Sequence, residues 1–427
     1  MLIEFSVENY RSIKDEISFS FIASSDNSLE DNIIKLSKMI NANGKPILND
    51  KDDILKSSVI YGPNASGKSN IILSLALLRY LILYSGSFIP GQKIPYTPFK
   101  LDNTYTSKPT RFQISFIKNN IQYVYELVYN ADKIIKESLV YYPNNRKALI
   151  FDIDDKYPEG YKFTIDISKQ KEIYKRKLEN IPYLTSSALQ NYKKTREAFS
   201  WFKDNLEPVG PTERFGVGFT TQMLNESEEA KESILKALLY ADFGICDIKA
   251  ITENESYEKN QGTASQKQVI TKTKINTFHK GYDENSREID ILFDFLDESE
   301  GTKRMYTLIG PFIDVLRKGK VLVIDELDIK LHNKLCRYLI QLFHNPIQNK
   351  YNAQLLFTSH NTNLLDLSLF RRDQIWFTKK DIKDQHTDLY SLLMFKQRSN
   401  TNVENAYNIG RYGALPRIND FAGIVDD

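Results

Sequence analysis

An eight-residue segment near the N-terminus limits most strongly what this chain can fold into. Residues 62–69 read Gly-Pro-Asn-Ala-Ser-Gly-Lys-Ser, which is the pattern of a phosphate-binding P-loop. Residues 57–61, Ser-Ser-Val-Ile-Tyr, predict a short buried strand before it, and the mainly apolar residues 70–81 predict a helix after it. A strand, a glycine-bearing turn and a helix start surround a polyphosphate with backbone N–H groups and the positive end of a helix dipole. The segment therefore predicts a nucleotide site in an α/β fold.

Each polar residue of the P-loop has a predicted role. Lys68 is expected to reach the β- and γ-phosphates, and Ser69 to ligate Mg²⁺. The other residues expected to contact the nucleotide are Asn64, Ala65, Ser66, Gly67 and Asn70. The expected cofactors are thus ATP and Mg²⁺.

A second apolar segment, late in the chain, ends in two carboxylates. Residues 321–324 are Val-Leu-Val-Ile, and Asp325 and Glu326 follow them. Fully apolar strands are typical of parallel sheets, whose carboxyl ends form the ligand edge. Asp325 is therefore predicted to hold Mg²⁺, and Glu326 to take a proton from an attacking water. His360 follows another apolar strand, residues 354–357; a lone histidine there is more often structural, but its position after the other two motifs makes it a catalytic candidate.

Composition sets broad limits on the class of protein. The length of 427 residues suggests two to three domain-sized units, and 57 basic against 55 acidic residues leave no overall basic field for nucleic acid. The two cysteines, Cys246 and Cys336, lack metal-site spacing and fit a reducing compartment. Residues 1–5 lack the features of an export signal, and no apolar run reaches about 18 residues. We therefore expect a cytoplasmic protein without a membrane partner.

The character of the sequence changes along the chain and predicts four parts. Residues 1–167 are expected to form the N-terminal part of an ATPase core, with the P-loop and a β-rich lobe. Residues 168–289 are expected to form an inserted, largely helical interaction lobe, in which the polar residues 252–268 form a loop. Residues 290–400 are expected to complete the core, and residues 401–427 to form a C-terminal tail.

Together these motifs resemble the ATP-binding-cassette (ABC) ATPase superfamily. The resemblance is closer to its AAA-annotated bacterial branch, the RloA/AriA-like anti-phage ATPases, and to the ATPase part of overcoming-lysogenisation-defect nucleases. It rests on the P-loop, Asp325-Glu326 and His360 and on further segments: the start at 2–14, the Ser-Glu-Gly-Thr signature at 299–302, the D-loop at 327–332, where His332 replaces the usual Asp, and the terminal Gly-Arg-Tyr-Gly-Ala at 410–414. The fold implied is an ABC-ATPase head with a mixed or parallel sheet.

The resemblance also implies site residues that the pattern alone does not. Arg11 and Ser12 would lie near the nucleotide phosphates. Ser299 and Gly301 would contact the nucleotide of a second protomer, so that the active unit is a head-to-head homodimer or a higher homo-oligomer. Glu300 stands where a small residue is common in the superfamily. This departure is expected to alter the closure of the dimer over its nucleotides or the rate of turnover. Gln113 is only a weak candidate for the Q-loop glutamine and is not counted among the site residues.

Three functions compete on this sequence. The first is a slow, regulatory ATPase that controls a separate effector, commonly a Toprim-like nuclease, after a phage protein triggers it. Only about 67 residues follow His360, too few for a fused Toprim domain of on the order of 100 residues. The second is a DNA-engaged ATPase of recombination or repair, supported only by the basic residues of 169–177, and such runs are usually solvated surface. The motor subunit of a transporter fits least, because Lys68 and Ser299 are 231 residues apart in the sequence and the transporter pattern is more compact.

Overall fold

The chain divides into two compact units, each assembled from separate stretches of sequence. The first unit comprises Met1–Pro211, Val315–Asp328 and Cys336–Asp427, and the second comprises Thr212–Asp314 and Ile329–Leu335. The computed structural model describes residues 1–36, 53–209, 217–241, 244–261, 264–395 and 402–415.

The strands and helices follow one another along the chain in a mixed order. The strands are β1 (Leu2–Glu8), β2 (Ile17–Ser20), β3 (Ile33–Ile34), β4 (Ile54–Leu55), β5 (Ser57–Tyr61), β6 (Thr110–Lys118), β7 (Ile121–Tyr129), β8 (Ile134–Tyr141), β9 (Ala148–Asp154), β10 (Tyr161–Phe163), β11 (Leu206–Val209), β12 (Ile245–Gln261), β13 (Ala264–Tyr282), β14 (Glu288–Asp294), β15 (Val321–Ile324), β16 (Gln354–Thr358), β17 (Ile375–Lys380) and β18 (Thr387–Ser391). The helices are α1 (Lys68–Tyr84), α2 (Ile167–Arg176), α3 (Tyr183–Leu189), α4 (Lys193–Asp204), α5 (Val217–Glu226), α6 (Glu228–Tyr240), α7 (Glu300–Lys318), α8 (Asn333–His344) and α9 (Val403–Asn408).

The strand before the P-loop lies inside a six-stranded sheet of the first unit. The order is β11-β15-β16-β5-β17-β18, and neighbouring strands run parallel except β18, which is antiparallel to β17. All residues of β5, β15 and β16 are buried, as expected for strands covered on both faces. The carboxyl ends of these three strands therefore meet at one edge of the sheet. The predicted α/β fold with a parallel-type sheet is confirmed.

A second sheet of the first unit is antiparallel throughout. Its order is β10-β9-β8-β7-β6-β1-β2, and the predicted hairpin of β6 and β7 turns at Asn119 and Asn120, whose φ angles are 48° and 60°. Asparagine tolerates this left-handed conformation better than most residues. Helix α4 packs on the sheet, since the ring of Trp201 stacks on that of Phe116 with centroids 4.2 Å apart. The β-rich lobe predicted for the N-terminal part of the core is this sheet.

Helix α1 follows the P-loop and buries one apolar side. Its buried apolar residues are Ile71, Ile72, Leu75, Leu78, Leu81 and Ile82. The helical segment Lys68–Ser87 is long and apolar enough to cross a membrane by length and composition alone. Buried core helices share these two properties, so they are weak evidence for a membrane span.

The predicted boundary of the inserted lobe at residue 168 is wrong. Helices α2, α3 and α4 belong to the first unit, and β11 extends the six-stranded sheet, with Leu206 opposite Val321 and Val209 opposite Ile324. The physical reason is burial, because Trp201, Phe202 and Leu206 are fully buried. This segment is therefore part of the hydrophobic core of the first unit and not of a separate lobe. The change in sequence character near residue 168 marks a switch from strands to covering helices within one unit.

The second unit contains a long hairpin where a loop was predicted. Strands β12 and β13 pair antiparallel from Ile245↔His279 to Gln261↔Ala264, so the predicted loop at 252–268 is wrong for the described residues of that range. The sequence there is polar at almost every position and shows no apolar alternation. Backbone hydrogen bonds can form a ladder without that alternation, which is why the pattern failed to predict it. Helices α5 and α6 and the part of α7 up to Asp314 supply the helical share of this unit.

Candidate nucleotide-binding site

The P-loop backbone takes a conformation that only its glycine can supply. Gly67 has φ +103°, and a Cβ built on it would lie 2.0 Å from Thr387 Oγ1 and 2.9 Å from Ser12 Oγ. A side chain at this position would therefore be strained and would collide with two neighbours. Gly67 directly precedes α1, so the close approach fixes where the helix and its first N–H groups begin.

Hydroxyl groups from distant strands hold the P-loop in place. Thr387 Oγ1 donates to the Ser66 carbonyl over 2.9 Å, and Ser66 Oγ and Thr378 Oγ1 share a hydrogen bond of 2.6 Å. Ser12 Oγ accepts from Asn70 Nδ2 at 2.7 Å and lies 2.7 Å from Thr387 Oγ1. The structure thus brings the predicted Ser12 to the loop. It also adds two threonines that the sequence did not predict, because single polar residues inside strands carry no motif.

Lys68 lies folded against its own loop. Its side-chain Nζ donates to the carbonyl oxygens of Gly62 at 2.8 Å and Pro63 at 3.1 Å. Burial lowers the pKa of Lys68 to about 8, against the opposing attraction of Asp325 and Glu326. The ammonium is therefore charged at neutral pH at a cost in free energy, and an anionic phosphate beside it would offset that cost.

Asp325 is buried at the carboxyl end of β15 and uses only one of its oxygens. Oδ1 accepts from Thr358 Oγ1 at 2.5 Å. Among the described residues, the buried Oδ2 has no hydrogen-bond partner. A buried carboxylate oxygen without a donor is unfavourable unless a cation or water satisfies it. Together with the hydroxyl of Ser69, it provides the oxygen ligands that Mg²⁺ prefers, so these residues fit the predicted ion.

Glu326 and His360 face each other at the same sheet edge. Glu326 Oε1 lies 3.5 Å from His360 Nε2, and both side chains are partly exposed. Glu326 has φ 54°, a left-handed conformation that costs roughly 1–2 kcal/mol for a residue with a side chain. The His360 N–H donates to Asp328 Oδ2 at 3.2 Å, which fixes the backbone of the histidine. The arrangement brings a carboxylate and an imidazole together at the carboxyl ends of β15 and β16.

A cavity of about 550 Å³ joins most of the predicted site residues of the first unit. Its lining residues are Ser12, Asn64, Ala65, Ser66, Gly67, Lys68, Ser69, Asn70, Glu326, His360 and Lys380. Lys380 is an additional cation at the end of β17 that no sequence motif indicated. Two cavities of similar size elsewhere, of about 570 and 660 Å³, contain none of the P-loop residues.

Three residues considered in the sequence analysis, Arg11, Gln113 and the buried Asp325, do not line this cavity. Arg11 is not among its lining residues; its guanidinium lies 5.6 Å from the centre of the Tyr10 ring, and its N–H donates to the Thr97 carbonyl. Gln113 lies within β6, accepts from Arg111 Nη2 at 2.8 Å and lines a different cavity, of about 190 Å³. The weak candidate for a Q-loop glutamine is therefore wrong, because a mid-strand residue of the antiparallel sheet is held away from the phosphate edge.

The signature segment forms a capped helix start in the second unit. Ser299 Oγ accepts the Thr302 N–H at 3.0 Å, which is N-cap geometry for α7. Glu300 pairs with Lys330 at 2.6 Å and with Lys303 at 3.3 Å, and these partners lower the pKa of its carboxyl. The unusual glutamate therefore has its charge compensated within its own unit. A Cβ on Gly301 would lie 3.3 Å from the Lys330 carbonyl oxygen, a tight contact.

The chain is similar to solved structures of the SMC head domain from Thermotoga maritima (14% identity, 91% of this chain and 98% of that chain, TM-score 0.38) and of the Smc head domain with an extended coiled coil bound to the C-terminal domain of ScpA from Pyrococcus furiosus (11% identity, 96% and 98%, TM-score 0.37). The comparison with curated proteins finds no match. The sequence profile described as "AAA domain, putative AbiEii toxin, Type IV TA system" matches residues 57–366, which include the P-loop, Asp325, Glu326 and His360. With more than half of its length matched, the chain belongs to this family of AAA-type ATPases.

Proposed function

We propose that the chain is a slow, Mg²⁺-dependent ATPase that closes as a head-to-head homodimer, or within a higher homo-oligomer, and regulates a separate effector in bacterial anti-phage defence. One observation carries the ATPase part of the proposal. The cavity collects Lys68, Glu326 and His360 around the P-loop, and Asp325, next to Glu326 in the chain, has a buried oxygen without a hydrogen-bond partner among the described residues. This set binds phosphates, holds a divalent cation and activates water.

The side chains divide the chemistry among them. Lys68 and the N–H groups at the start of α1 bind the phosphates, and Asp325 Oδ2 and the hydroxyl of Ser69 hold the ion. When bound, Mg²⁺ neutralises charge on the terminal phosphates. Glu326 accepts the proton of the attacking water, and His360, 3.5 Å from it, orients the carboxylate and meets the terminal phosphate. Asn64, Ala65 and Asn70 enclose the nucleotide.

The proposed composite site rests on the signature helix. The first N–H groups of α7 and the hydroxyl of Ser299 form an anion-binding end, to which Gly301 adds no side chain. A bare carboxylate on Glu300 would repel a phosphate there. Its pairing with Lys330 and Lys303 removes that repulsion, which supports the approach of a second protomer's nucleotide.

Glu326→Gln provides the direct test of the ATPase. The variant should bind ATP and Mg²⁺ with unchanged affinity and hydrolyse it roughly 10²–10⁴ times more slowly, the usual contribution of a general base. Lys68→Ala should lose most nucleotide binding. Affinity is measured with a fluorescent ATP analogue and turnover by phosphate release. Hydrolysis by Glu326→Gln at the wild-type rate would show that Glu326 is not the base.

The effector is proposed to be a separate protein, commonly of the Toprim nuclease type. The proposal rests on the resemblance to the RloA/AriA-like ATPases, and the description of the matched family names a putative toxin of a type IV TA system. The test co-expresses the chain with the product of the neighbouring gene and challenges the cells with phage. Protection should need both proteins and should change in Glu326→Gln. Full protection by the effector alone would refute the regulatory role.

A DNA-engaged ATPase remains a second candidate because of one surface. Lys169, Lys175 and Arg176 on α2 and Lys193 and Lys194 on α4 are exposed, and Lys169 lies 5.6 Å from the Tyr192 ring, next to the start of α4. Such clusters suit phosphate backbones. Binding of duplex DNA that falls steeply with salt, and that Lys193→Glu with Lys194→Glu weakens, would favour this function; salt-independent or absent binding would reject it.

A further inference from the structure

One buried threonine fastens the whole catalytic turn after β15. The Thr358 hydroxyl donates to Asp325 Oδ1 at 2.5 Å and accepts the Glu326 N–H at 2.7 Å. The Thr358 carbonyl accepts the Leu327 N–H at 3.2 Å. Thr358 is fully buried at the end of β16, beside β15 in the sheet. Three consecutive residues of the turn are thus held by a single residue of the next strand.

The Thr358 hydroxyl cannot donate a hydrogen bond to any further acceptor. It carries one proton, which goes to Asp325 Oδ1, while a lone pair receives the Glu326 N–H. Because Oδ1 is engaged, Oδ2 is the oxygen of Asp325 that stays unpartnered among the described residues. The same hydroxyl stabilises Glu326 in its left-handed conformation of φ 54°, which would otherwise be strained.

We propose that Thr358 is a positioning residue for hydrolysis: its hydroxyl sets the Asp325 carboxylate for the divalent cation and the Glu326 backbone for the attacking water. The inference deepens the proposed function and rests on it. Thr358 is not among the residues that line the cavity, so it acts through its two acidic neighbours and not by touching the nucleotide. Residues that orient metal ligands in this way typically change metal affinity or activity by about 10–100-fold when they are replaced.

Two substitutions separate the hydroxyl from the volume of the side chain. Thr358→Val keeps the shape but removes both hydrogen bonds, whereas Thr358→Ser keeps the hydroxyl and loses a methyl group. A matched control is Thr195→Val on α4. Thr195 is also fully buried, with its hydroxyl 2.7 Å from Ser187 Oγ and donating to the Tyr192 carbonyl at 3.2 Å, and it lies outside the cavity lining.

The experiment measures cation binding as well as turnover. Mn²⁺ affinity in the presence of ATP is followed by electron paramagnetic resonance, ATP affinity is measured with EDTA and with Mg²⁺, and melting temperatures are recorded. We expect Thr358→Val to weaken Mn²⁺ binding and to lower kcat by about 10–100-fold each. Its ATP affinity in EDTA should equal that of the wild type. Thr358→Ser should stay within about threefold of the wild type, and Thr195→Val should change only the melting temperature.

Several results would overturn the inference. A folded Thr358→Val with wild-type Mn²⁺ affinity and kcat would show that the hydroxyl positions nothing. Equal losses in Thr358→Val and Thr195→Val, or an equal fall of ATP affinity with and without Mg²⁺, would show a general structural effect. Failure of the wild type itself to bind Mn²⁺ with ATP would refute the proposed function, and the inference with it; wild-type binding together with an unaffected Thr358→Val refutes the inference alone.

Discussion

Replacing the P-loop lysine by methionine should make the protein more stable while abolishing its ATP binding. Burial lowers the pKa of Lys68 to about 8 from 10.5, so its charged form at pH 7 costs roughly 3 kcal/mol in the folded chain, at 1.36 kcal/mol per pKa unit. Lys68→Met removes this cost. It also leaves the carbonyls of Gly62 and Pro63 without their donor, at about 1 kcal/mol each. The expected net gain is therefore about 1 kcal/mol.

The effect should depend on pH in a defined direction. Because the folded-state pKa is below the unfolded one, wild-type stability rises as pH increases from about 8 to 10.5, while that of Lys68→Met does not share this rise. The advantage of the variant should thus shrink over this range. Urea unfolding followed by tryptophan fluorescence reports on the first unit, which contains both tryptophans, Trp201 and Trp376. A variant less stable than the wild type at pH 7, or a difference constant from pH 7 to 10.5, would refute the reasoning.

Three further predictions test other parts of the structure. Mixing Lys68→Ala with Ser299→Arg should partly restore ATP hydrolysis, since one composite site of a mixed dimer is intact; no recovery, with mixed dimers shown by mass measurement, would contradict shared sites. Gly67→Ala should lose nucleotide binding because of its 2.0 Å collision with Thr387, whereas Gly91→Ala, also at positive φ but with open space around it, should retain binding; equal losses would show that strain alone matters. Trp201→Ala should cost about 3–5 kcal/mol of unfolding free energy by circular dichroism, and a loss under 1 kcal/mol would contradict its place in the core.

The sequence predicted the centre of the site because its motifs are contiguous and end parallel strands. Residues 62–69, Asp325-Glu326 and His360 each follow an apolar strand, and the parallel pairing of β5, β16 and β15 brings those ends together. The residues that hold the P-loop through hydrogen bonds were not predictable in the same way. Thr378 and Thr387 reach the P-loop through strand pairing, and no local pattern distinguishes them from other strand threonines.

The unit boundary was also beyond the reach of sequence patterns. An edge strand as short as Leu206–Val209 includes a proline and shows little periodicity, and only its parallel register with β15 reveals it as part of the sheet. The β12–β13 hairpin is the opposite case, since its regular backbone pairing has no apolar signal in the sequence. Apolar periodicity is a signal of burial, so it does not detect strands whose sequence is polar or very short.

Neighbouring strands of the six-stranded sheet come from distant parts of the sequence, and this has a consequence during synthesis. Strand β5 leaves the ribosome early, but its neighbours on both sides, β16 and β17, come roughly 300 residues later. At about 5–20 residues per second, the P-loop strand waits on the order of 15–60 seconds without a partner in the sheet. Productive nucleotide binding should also wait for Asp325 and Glu326, which are made only shortly before β16. A nascent chain stalled before β15 should therefore be degraded by protease at the same rate with and without ATP.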